Sequence, residues 1–108
     1  MKFPKEFFDM VKSGMKTCTG RLGKRDLNAG DEIVFECENE SIRVVVLEIT
    51  FYTSFESLLE SHLKDVLPGY DFYGGLAVYN GIYGDKMEEM KRKGETIIIT
   101  GIRFKLIS

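Results

Sequence analysis

EIVFECENESIRVVVLEITFY, residues 32–52, decides the fold class. From Glu32 to Glu38 polar and apolar residues alternate with period two, the signature of a half-buried strand. Asn39-Glu40 supplies a hairpin turn, and a second, longer strand runs from about Ser41 to Tyr52. Its two faces are both apolar as far as Glu48, as expected of a strand buried in a closed barrel. Downstream, Thr53 or Ser54 is placed to cap a helix over 55–66, whose apolar stripe is Phe55, Leu58, Leu59, Leu63 and Val66. Pro68-Gly69 stops it. A helical turn is expected at 75–83 and a further helix at 85–93, acidic early and basic late in accord with the helix dipole. Gly94-Glu95 then turns into a last strand, Thr96 to Leu106. Upstream, Ala29-Gly30-Asp31 is a turn, Leu22 to Gly30 a polar loop, and residues 16–21 extended. Residues 4–13 read as a helix, with Pro4 at its first position and Gly14 as its left-handed terminator.

Helix, strand, loop, strands, helices, strand describes an α+β domain with a small barrel, not a parallel βαβ fold. A length of 108 residues suits one domain spanning 1–108. No apolar run approaches the roughly 18 residues of a membrane helix, and the N-terminus lacks a signal-peptide core, which gives a cytoplasmic reading. Lys and Glu are abundant and Gln is absent, a composition that resembles that of hyperthermophile proteins. His62 is the sole histidine, and Cys18 and Cys37 are the only cysteines. These are too few ligands for a structural zinc site, so no metal and no cofactor are expected. The cysteines are expected as free, largely buried thiols in preference to a disulfide. The net charge of −2 is unevenly spread: residues 1–30 carry seven Lys/Arg against three Asp/Glu, whereas residues 31–84 carry two against ten. A basic face built from the chain's ends is therefore available to phosphate.

Gly14-Met15-Lys16-Thr17-Cys18-Thr19-Gly20-Arg21 resembles the Gly-x-Lys-x-x-Thr/Glu-x-Arg signature of the ASCH domains, members of the PUA-like superfamily. Ala29-Gly30-Asp31 with the strand after it, the helix after Phe51-Tyr52 and the Leu67-Pro68-Gly69 break are also similar in order, so the resemblance covers nearly the whole chain. It implies a small twisted β-barrel flanked by helices, with a cleft that binds RNA or modified nucleotides. Some small members remove the acetyl group of N4-acetylcytidine, and there the signature Lys and Thr act with a later Glu. These positions fall here on Lys16 and Thr19; Glu60 and Asp65 lie in the right region for the carboxylate but in no matching motif.

Read from their chemistry, Lys16 and Thr19 have two roles open to them. A desolvated lysine can take a proton from a hydroxyl nucleophile, with backbone amides near Gly20 receiving the oxyanion. Alternatively Lys16 contacts phosphate while Thr19 fills a strand position, which spacing alone favours. Arg21, Lys24 and Arg25 form a basic segment suited to phosphate. Among Tyr70, Phe72, Tyr73, Tyr79 and Tyr83 one aromatic is expected to stack on a base, with Tyr73 the choice for the binding set and Phe72 and Tyr79 assigned to the core. Recognition of RNA or a nucleotide by Lys16, Thr19 and Arg21 is the leading function. An amidohydrolase acting on N4-acetylcytidine is the alternative. A protein-interaction module using the acidic middle segment is the third.

Overall fold

The computed structural model describes residues 1–107. The elements are α1 (Lys5–Lys12), β1 (Cys18–Leu22), β2 (Glu32–Cys37), β3 (Glu40–Tyr52), α2 (Phe55–Val66), α3 (Phe72–Arg92) and β4 (Ile99–Leu106). The four strands form one antiparallel sheet in the order β1-β4-β3-β2, curled into a half-barrel. This is the expected α+β, PUA-like architecture. No helix among the described residues is long and apolar enough to cross a membrane.

The β2–β3 hairpin forms where alternation placed it, with Cys37 opposite Glu40. The long strand is not buried on both faces, however. Val44 and Val46 are buried, while Leu47 and Phe51 are 44% and 49% exposed. A bulge also interrupts it: Val46 pairs with Phe104 and Glu48 with the adjacent Arg103, leaving Leu47 as an extra residue. One inserted residue reverses which side chains face inward and bends the strand, and this helps curl the sheet.

The two edges of the half-barrel, β1 and β2, are bridged by the first residues of the chain. Phe3 N donates to Glu36 O at 2.9 Å and Glu36 N to Met1 O at 2.8 Å, so residues 1–3 lie along the outer edge of β2. From β1, the Arg21 guanidinium reaches across to Lys2 O at 3.1 Å and lies 4.3 Å from the centroid of the Phe3 ring. Inside, Phe35 packs against Phe3 at 4.5 Å and edge-on against Phe104 at 4.9 Å, arrangements that suit aromatic quadrupoles.

Ser54 caps α2 by accepting from Ser57 N at 3.1 Å. Gly14, at φ +82°, follows α1 in the left-handed conformation expected of it. Residues 72–92 form one continuous helix, not a helical turn and a separate helix. Asp71 Oδ1 accepts from Gly74 N at 2.6 Å and starts it. Gly81 and Gly84 weaken its interior by roughly 1 kcal/mol each relative to alanine; packing of Tyr79 and Tyr83 against Phe55 of α2 offsets that loss. The last strand starts at Ile99, later than expected. Both cysteines are free; Cys18 is buried and Cys37 partly so.

Candidate binding cleft

The β1 strand is an edge strand, and its unpaired side is the floor of the site. Thr17 O accepts from Phe104 N and Gly23 N donates to Ile98 O, so odd-numbered residues turn their backbone groups toward β4. By the antiparallel pattern, Cys18 and Gly20 turn theirs away from it. Side chains occupy that free edge. Lys16 Nζ donates to Cys18 O at 2.9 Å, and Gly20 N donates to the Tyr79 hydroxyl at 3.2 Å. Glycine is required at position 20 because a Cβ would fall 2.3 Å from Leu58 Cδ2 and 3.4 Å from the Tyr79 hydroxyl.

Lys16 is only 2% exposed. Its ammonium donates to Val66 O as well as to Cys18 O, which fastens β1 to the end of α2. Burial, aided by the positive charge of Arg21 and opposed by Cys18, brings its pKa down to about 7. Near neutral pH a substantial fraction is therefore the free amine. Its two N–H groups match the two carbonyls, and a lone pair remains.

Tyr79 is 5% exposed. Its ring stacks on Phe55 at 4.3 Å and 12°, and Tyr83 stacks on the same Phe55 at 5.4 Å and 9°. Burial pushes the phenol up to about 12, against the opposing effect of hydrogen bonding from Gly20 N–H and the Thr19 hydroxyl. It is a neutral donor and acceptor at every physiological pH.

Between β1, the start of α1 and the middle of α3 lies a narrow cleft lined by Lys16, Thr19, Arg21 and Tyr79, with Phe3, Phe7, Val78 and Ile82 as apolar walls. Its free volume of about 30 Å³ is on the scale of one or two water molecules. The Arg21 Nε atom is buried and has no hydrogen-bond partner among the described residues.

The structure thus brings Lys16, Thr19 and Arg21 to one place. Lys24 and Arg25 flank a separate groove with Leu47 and Phe51, where Lys24 Nζ lies 5.8 Å from the Phe51 ring centroid. Tyr73 is 79% exposed and packs edge-on against Phe72, outside the cleft lining. Glu60 and Asp65 are exposed on α2. Asp65 lines a different groove, on the other side of Lys16. No carboxylate is among the cleft-lining residues. Sequence reasoning put Tyr79 in the core and left Phe3 out of the site. The available signal was the four-residue spacing of Tyr79 and Tyr83, which sets both on the helix face opposite the glycine of β1. No group of three or more His, Cys, Asp or Glu among the described residues is placed to hold a metal ion.

The ASCH domain family model matches residues 1–101. The crystal structure of hypothetical protein PH0355 is similar over 99% of this chain and 96% of that one, with 29% identity and a TM-score of 0.79. The solution NMR structure of protein PF0455 from Pyrococcus furiosus is similar over 100% and 96%, with 31% identity and a TM-score of 0.69. No curated protein matches the chain.

Proposed function

The chain belongs to the ASCH domain family, and from that premise we propose that it binds RNA or a nucleotide in the cleft beneath Arg21. The observation that carries this reading is the state of the Arg21 guanidinium. One of its terminal nitrogens is held by Lys2 O and its face is covered by Phe3, yet its Nε is buried with no partner. An unpartnered buried donor costs about 1–3 kcal/mol, a cost that a ligand acceptor removes. Lys16 and Thr19 lie beside it, at the same narrow cleft.

Titration of labelled single-stranded and hairpin RNAs and of free nucleotides at low salt tests the reading by anisotropy and by NMR shifts. Arg21→Ala is expected to weaken binding about 10- to 100-fold, the value of a charge-assisted hydrogen bond. Absence of binding by every probe, or equal binding by Arg21→Ala, rejects it.

One observation favours hydrolysis of N4-acetylcytidine as a second reading: Lys16 is poised near neutral pH beside Thr19. With no carboxylate in the cleft, Lys16 would be the base acting on Thr19 or a water. Acetate release is then expected to fall at least about 100-fold in Lys16→Ala, the scale of general-base catalysis. Unchanged turnover in that variant removes this mechanism.

A further inference from the structure

The cleft beneath Arg21 has a free volume of about 30 Å³, too little for a length of polynucleotide. Most of an RNA strand held there lies on the surface outside it. Residues 31–84 carry two Lys/Arg against ten Asp/Glu, a field that limits where a phosphate backbone can run. The loop after β1 admits one. Lys24 and Arg25 are exposed on it, at the rim of an open groove of about 500 Å³, within the size range of ligand sites. The floor of this groove is the row Leu47, Ile49 and Phe51 of β3. Glu48 also borders it, but the Glu48 carboxylate faces Arg103 at 3.8 Å, which leaves Asp26 against the two cations of the loop.

The cations and the apolar floor are held in a fixed relation. Thr100, wholly buried, fastens the loop from below: its hydroxyl donates to Gly23 O at 2.7 Å and accepts from Arg25 N at 3.1 Å. Thr100 is also the register partner of Phe51, so the same residue sets the basic loop beside that ring. Phe51 is half exposed, with Lys24 Nζ 5.8 Å from its centroid. An exposed cation–π contact of this kind is weaker than the stacking of a base on the same ring. A base that displaces the ammonium leaves Lys24 free to turn to the adjoining phosphate.

We propose, resting on the RNA-binding reading above, that Phe51, Lys24 and Arg25 form a second contact for single-stranded RNA. One unpaired base stacks on Phe51, and the two cations meet the flanking phosphates. An aromatic face with cations along the backbone holds a single strand without reading its sequence. A duplex keeps its bases stacked on one another and offers none to the ring. The groove therefore selects strand state and not base identity. An acidic peptide could satisfy the cations but supplies no base to Phe51.

The chain contains no tryptophan, so Phe51→Trp places a single fluorescent reporter in the groove. Its emission is expected to be quenched by oligouridylate and oligoadenylate alike, and left unchanged by an RNA duplex or by polyglutamate. In anisotropy titrations at low salt, Phe51→Ala is expected to weaken oligouridylate binding about tenfold, the scale of one lost base–aromatic stack. Lys24→Gln combined with Arg25→Gln is expected to reduce the slope of log K against log[salt] by about 1.4, the value for two single-strand phosphate contacts. Quenching by duplex or polyglutamate as strong as by single strands overturns the second contact, as does normal oligouridylate binding by Phe51→Ala. If Phe51→Ala binds normally while Arg21→Ala is weakened, the cleft reading stands and the second contact alone fails. If Phe51→Ala is weakened and Arg21→Ala is not, the groove is the RNA site and the cleft reading fails. If no RNA binds the unaltered chain, both fail.

Discussion

Thermal unfolding followed from neutral to alkaline pH is expected to show stability rising from pH 7 to about 9, levelling, and falling above about 10. The rise comes from Lys16. Burial holds its folded pKa at about 7, below the 10.5 of the unfolded chain. Between those values the unfolded state carries one proton more, so stability increases with pH by about 1.4 kcal/mol per unit. Below pH 7 the lysine is protonated in both states and the cost of burying its charge is fully present. The fall has the opposite sign. Burial raises the Cys18 thiol from 9.0 to about 11, and raises Tyr79 from 10.0 to about 12. Each group ionises first in the unfolded chain and so subtracts stability once pH passes its unfolded value. Cys18 cancels Lys16 from about pH 9, and Tyr79 adds to the decline from about 10. The gain from pH 7 to 9 amounts to roughly 2 kcal/mol, because the slope is only half-developed at pH 7 and Cys18 begins to oppose it near pH 9, or about 8–15 °C in Tm for a domain of this size. Lys16→Met is expected to abolish the rise and keep the alkaline fall, whatever its offset at pH 7. A native chain whose Tm is flat or falling between pH 7 and 9 would show that Lys16 is not buried as a titrating amine.

The same lysine shows what was legible in the sequence and what was not. Local signals gave the elements: alternation in 32–38 gave β2, Ser54 gave the start of α2, and Gly14 gave the end of α1. The signature Gly14 to Arg21 marked the segment whose Lys16, Thr19 and Arg21 line one cleft. The features that were not legible depend on contacts far apart in the chain. Nothing near Leu47 marks it as the extra residue of a bulge, since the irregularity exists only relative to β4. The continuity of α3 across Gly81 and Gly84 comes from Phe55 on another helix, and tertiary packing of this kind overrides intrinsic propensity. The bridging of the half-barrel by residues 1–3 depends on pairing with Glu36. Composition placed Tyr73 among the candidate stacking residues because tyrosines cluster there. Helical geometry separates them: Tyr79 and Tyr83 share a face four residues apart, whereas Tyr73 projects into solvent.

That separation makes Phe55 the residue whose loss should have the widest effect. Phe55 is 1% exposed and lies between the signature strand and α3, stacked on both Tyr79 and Tyr83. Its ring also lies within 3.5 Å of where a Gly20 Cβ would be. Phe55→Ala is expected to cost about 3–5 kcal/mol, the range for a large-to-small change in a packed core, and to lower Tm by roughly 15–30 °C. Any core phenylalanine gives a loss of that size, so stability alone does not identify its role. Phe104, 3% exposed and packed on Phe35 away from the stack, supplies the comparison. Phe104→Ala should unfold at a similar temperature. Well below both midpoints, where each variant is folded, their ligand responses should diverge. In Phe55→Ala the Tyr79 ring loses the surface that fixes its plane, and its hydroxyl is no longer held at 3.2 Å from Gly20 N. Pre-organisation of the cleft is then lost, and affinity for RNA or nucleotide is expected to drop at least about tenfold. Phe104→Ala should bind within about twofold of the unaltered chain. If both folded variants bind alike, the Phe55–Tyr79–Tyr83 stack is core packing only, and the cleft is positioned by β1 and α1 without it.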